Sequence, residues 1–116
     1  MFPINRSVAI IKPQQPFVDW VNSVADAGDQ YSVHDFSTDC SVILLPVVDS
    51  DEHAEVLIKE MFQNVFEMEL LSWMADDEIW PENITYKMFK EWFDVEFHSM
   101  VFDPLQSDIE KEPYWD

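Results

Sequence analysis

The sequence predicts an α+β domain: a small three-stranded sheet with about three helices packed mainly on one face, in the order β-α-β-α-α-β. Three observations carry this. Two short apolar runs, VAII at residues 8–11 and SVILLPVV at 41–48, are too short for helices and rich in β-branched side chains. Between them and the C-terminus, residues 50–74 repeat apolar side chains at helical spacing. The stretch 83–103 then changes period within itself: Ile84, Met88 and Trp92 recur every four residues, whereas Val95, Phe97, Ser99 and Val101 alternate with Glu96, His98, Met100 and Phe102.

The first strand is expected at about residues 6–12. It is closed by Lys12-Pro13, and its unbroken apolar run suggests burial on both faces in the middle of a sheet. A helix follows at about 15–25, because Pro16 suits a first turn and Phe17, Trp20, Val21 and Val24 share one side. Gly28, the single glycine, stops it. Residues 26–40 are polar and rich in Asp and Ser and read as a loop with a short extended piece. The second strand, 41–48, reads as a second buried run, with Pro46 near its end where a missing donor does least harm. With the intervening helix the two strands resemble a βαβ unit, parallel if the crossover is right-handed.

The long helix is expected at about 50–74, opened by Asp49 capping Glu52. Ala54, Leu57, Ile58, Met61, Phe62 and Val65 form its apolar stripe, and Glu52, Lys59, Glu60, Gln63, Asn64 and Glu67 its polar side. Glu69 falls on the apolar stripe, so either the helix bends near Glu67 or Glu69 is buried with a partner. The next helix, about 84–93, is capped by Asn83 or Thr85. It runs into a strand at about 95–102, with Asp94 as the polar residue at the joint. The domain spans 1–103, and 104–116 is an acidic tail with two prolines and, near its end, Tyr114 and Trp115.

Charge bounds the function. Against 24 Asp and Glu stand six basic residues, a formal net charge of -18, while 15% aromatic content supplies a core and argues against disorder. Such a field repels nucleic acids and anionic membranes and draws in basic proteins. The sole cysteine, Cys40, allows no intrachain disulfide and fits a reducing cytoplasm, with acidic neighbours that disfavour thiolate. The N-terminal apolar run is too short for a signal peptide, and no stretch reaches membrane-spanning length. Monomer and homodimer are both compatible with the pattern. Trp73, Trp80, Trp92 and Trp115 could anchor an interface, although in a domain of this size most should serve as core.

The leading expectation is a non-catalytic acidic binding or regulatory module that offers Glu52, Glu60, Glu67, Asp76, Asp77 and Glu78 to a basic protein partner. Its sharpest form is a nucleic-acid mimic of inhibitor or immunity type. The rival is a small metal-binding protein or enzyme using Asp94, Glu96 and His98, which alternate onto one face of the last strand, with His34 or His53 as a further ligand. A third reading is an acidic housekeeping protein whose charge serves solubility alone. No catalytic constellation, glycine-rich phosphate loop or paired-cysteine site is present, so no cofactor is implied.

The opening NRSVAIIKP and the late run TYKMFKEWFDVEFHSMVFD resemble a group of small acidic bacterial proteins of unassigned function. The resemblance covers both ends of the domain but not the loop around residues 26–39. It implies a bacterial cytoplasmic setting and brings no site residues.

Overall fold

The computed structural model describes residues 1–25, 28 and 30–113. In chain order the elements are β1 (Phe2–Pro3), β2 (Ser7–Pro13), α1 (Gln15–Val24), α2 (Val33–Ser37), β3 (Ser41–Leu45), α3 (Asp51–Leu71), a 3-10 turn (Asp77–Ile79), α4 (Tyr86–Trp92), β4 (Phe93–His98) and β5 (Phe102–Asp103). The architecture is α+β, with a sheet of order β3-β2-β4. The first strand is therefore central, as its apolar run implies.

Both pairings of β2 are antiparallel. The parallel βαβ expectation fails because two helical segments, α1 and α2, lie between the strands and return the chain to the end of β2 that it left, placing Ser41 opposite Ile11. Burial on both faces also fails. Ser7, Ala9, Ile11 and Pro13 are buried, whereas Val8, Ile10 and Lys12 are only half-buried, and on β3 Val42 and Leu44 are exposed. One face of the sheet carries the helices and the other faces outward, which is the usual arrangement of an antiparallel sheet.

Several local details differ from expectation for identifiable reasons. Residues 32–38 are no extended loop, because Ser32 and Asp35 form a reciprocal capping box that starts α2. Ser50, rather than Asp49, caps α3 by accepting from the His53 amide at 3.1 Å, leaving Asp49 to pair with the His53 ring at 3.3 Å. Thr85 caps α4, and Asn83 adopts a left-handed φ of 55°. No turn separates α4 from β4. Asp94 sits inside the strand opposite Lys12, and the backbone passes from helix to strand between Trp92 and Phe93. The expected last strand is split, since β5 leaves the main sheet to pair with β1.

The core is strongly aromatic. Ala9, Ile11, Phe17, Val21, Leu45, Ile58, Val65, Phe66, Leu70, Phe89 and Phe93 form one buried cluster. Phe66 of α3 meets Trp92 at 5.2 Å and Phe93 edge-on at 5.2 Å, and Phe17 of α1 lies 5.0 Å from Phe93. The α4–β4 joint is thus where helices and sheet meet. Trp80 and Trp20 also tie loops down, their indole N–H groups donating to Met74 O and Ile79 O. Among the four tryptophans considered for an interface, Trp80 and Trp92 pack against the core and Trp73 meets Tyr31 edge-on and Phe36 at a tilt, while Trp115 lies outside the described residues.

Candidate functional site

The acidic face is built by α3 and the turn after it. Glu52, Glu60, Asp76, Asp77 and Glu78 are exposed and Glu67 half-exposed. Helical rotation of 100° per residue brings Glu60 and Glu67 to nearly the same side, with Glu52 about one residue's rotation away. Among the described residues none of the six takes part in a salt bridge. Two do local structural work: Glu67 accepts from Gln63 at 3.2 Å, and Asp76 caps the Glu78 amide at 3.0 Å.

Among the described residues the lysines in salt bridges, Lys12 and Lys90, pair with carboxylates outside this face. Lys90 of α4 bonds Glu55 of α3 at 3.1 Å, and the Tyr86 hydroxyl donates to the same carboxylate at 3.3 Å. Lys59 and Lys90 both lie over the Tyr86 ring, at 5.5 and 5.6 Å. Lys90, first by its hydrogen bond and then by its charge, holds Glu55 below the usual carboxylate range. This cluster rims a cleft of about 190 Å³ floored by Ile58, Phe89, Phe93 and Phe97. Sequence reading missed it, because Glu55 and Lys90 stand on different helices and meet only when α4 packs on α3.

On the outward side of the sheet the pattern did place Asp94, Glu96 and His98 on one face of β4, and the fold brings Glu96 and His98 into contact while Asp94 borders a different cleft. Glu96 accepts from Lys12 at 3.0 Å and is 2.9 Å from His98 Nε2. His98 foremost, and then Lys12, pull the Glu96 carboxyl down. Asp94 lines the cleft beside Lys90, while His98 lines another with Asp49, Ser50 and Asp51 at the start of α3. His53 pairs with Asp49 and His34 is exposed on α2. Among the described residues no three His, Cys, Asp or Glu side chains converge as a metal-binding group. An ammonium already occupies the carboxylate on which such a site would centre.

The Cys40 thiol is pushed up, first by burial, and donates to Phe36 O at 3.4 Å. Glu69, on an unbroken α3, is 7% exposed, and its Oε1 is buried without a hydrogen-bond partner. Burial raises its carboxyl pKa, and a side-chain hydrogen bond with Ser41 only partly offsets this. No described helix is long and apolar enough to cross a membrane. Set against protein-family models, curated proteins and solved structures, the chain has no match.

Proposed function

We propose that this chain is a non-catalytic acidic binding or regulatory module for a basic protein partner, with Glu52, Glu60, Glu67, Asp76, Asp77 and Glu78 as the contact face. The observation that carries the reading is that, among the described residues, these carboxylates stand at the surface outside any salt bridge, in a chain of net charge -18 in which Lys12 and Lys90 pair with other carboxylates. A folded protein that leaves its negative charge uncompensated along one helix raises the encounter rate of cationic surfaces and repels anionic ones. In its sharpest form the face imitates the charge of a nucleic-acid backbone for a protein that binds nucleic acid. The resemblance noted above would place the module in a bacterial cytoplasm.

Capture of partners from native extract at low and at high salt, followed by surface plasmon resonance, tests it. Reversing Glu60, Glu67 and Asp77 to Lys spares Asp76, which caps the 3-10 turn. The expected result is an on-rate lower by about tenfold at low salt, with a shallower salt dependence and an unchanged fold. On-rates equal to the parent's and independent of salt would refute the face. Poor solubility with no lost partner would point instead to charge that serves solubility.

A further inference from the structure

The two edges of the main sheet are built differently. On β4 the outward side chains are Asp94, Glu96 and His98, a charged guard of the kind that keeps strand edges from pairing with other chains. On β3 the sequence Ser-Val-Ile-Leu-Leu carries no charge and no proline, its outward side chains Val42 and Leu44 are 58% and 43% exposed, and among the described residues its only strand neighbour is β2. Among the described residues no backbone hydrogen bond ties β3 to any other segment. One row of its N–H and C=O groups is therefore open to a further strand. Beside the start of this edge lies Glu69, which touches Ser41 and keeps one buried oxygen unpaired. A buried carboxylate lacking a donor is costly unless something supplies one.

We infer that the β3 edge takes an extended segment of a basic partner protein by strand addition, its outward apolar side chains covering Val42 and Leu44 and an inward Lys or Arg reaching Glu69. Charge selects this occupant over a second copy: two bodies of net charge -18 repel, and self-pairing of β3 would bring Asp39 and Asp49 of both copies to the same junction. The polarity along the edge is also set. At the Leu44 end Arg6 and Lys111 share a cleft with Asp103 and Asp108, whereas the Ser41 end has exposed Asp39 and buried Glu69, with Lys12 already held by Glu96. The basic positions of the added strand thus gather toward Ser41. Backbone pairing supplies affinity in this mode and the alternating side chains supply specificity. The inference takes its partner class from the reading above and assigns it a different surface.

The test uses the full chain and two capped eight-residue peptides: one alternating valine and lysine, one with the same residues in two blocks. Amide exchange and fluorescence anisotropy are measured on the parent, on Val42→Lys with Leu44→Lys, on Glu69→Gln, and on the Glu60, Glu67 and Asp77 triple reversal. Expected are at least tenfold tighter binding of the alternating peptide, at least tenfold slower exchange confined to residues 41–45, and a tenfold loss of that peptide in both the double variant and Glu69→Gln. The triple reversal should slow its arrival but leave the protected amides the same. Equal binding of both peptides, or protection over 51–71 that only the triple reversal removes, would overturn the edge while leaving the acidic face standing. A parent dimer that the double variant abolishes would also overturn it, since a second copy would then hold the edge. If the double variant does not fold, protection of the parent by the two peptides decides alone.

Discussion

Glu69 shows how far a single position can be read from sequence. Helical spacing puts it on the apolar side of α3 and leaves two outcomes, a bent helix or a buried carboxylate. The helix is continuous and the carboxylate is buried. Ser41 as its neighbour was not legible, because contact between the last turns of α3 and the start of β3 depends on the sheet order. The consequence is a pH dependence with a definite sign. In the unfolded chain the group ionises near its ordinary value of 4.5, and in the fold only at higher pH. Between the two the folded state holds the extra proton, so stability falls as pH rises from about 4.5 through the raised value and stays reduced above it. Glu69→Gln removes that titration and therefore its part of the slope. Urea unfolding of parent and variant at pH 5 and pH 8 should show the parent losing stability relative to the variant as the pH rises. Parallel curves at both pH values would mean that Glu69 is hydrated.

At the scale of elements, the stretch 83–103 was legible in kind and less so in detail. Its change of period gave a helix followed by a strand, but an assumed turn at Asp94 hid the direct passage from Trp92 to Phe93. That passage lets two neighbouring aromatic rings pack against the same Phe66. Phe66→Ala should therefore cost about 3–5 kcal/mol in chemical denaturation, since it empties a fully buried site between α3, α4 and β4. Trp92→Ala, at a half-buried ring, should fall at the lower end of that range. A Trp92 variant that melts like the parent would show that Phe17 and Phe66 repack without it. The acidic side of α3 was legible because charge on one helix face is a local pattern. The Glu55, Tyr86 and Lys90 cluster was not, since its members are brought together only by helix packing. Nor was the β3 edge, because an apolar run reads as buried until the sheet order shows that one side has no neighbour.

For the molecule as a whole, the decisive quantity is how its negative charge compares with its size. The body measures 46 × 30 × 30 Å. At about 10 mM ionic strength the Debye length is roughly 30 Å, so carboxylates on opposite sides still repel, whereas at physiological strength it is about 8 Å and only near neighbours interact. Salt also weakens the attractive pairs, but Lys12–Glu96 and Lys90–Glu55 are each well exposed and pairs of that kind contribute little. Repulsion among the uncompensated carboxylates is the larger effect, and screening it favours the compact state. The melting temperature should rise steadily from 10 to 200 mM sodium chloride at neutral pH. The triple reversal of Glu60, Glu67 and Asp77 to Lys, which removes six units of negative charge difference from one face, should melt higher than the parent at 10 mM and show a smaller rise with salt. Calorimetry on both proteins across that range is the measurement. A parent whose melting temperature is flat or falls would mean that the exposed carboxylates are already far enough apart, and well enough hydrated, not to oppose folding.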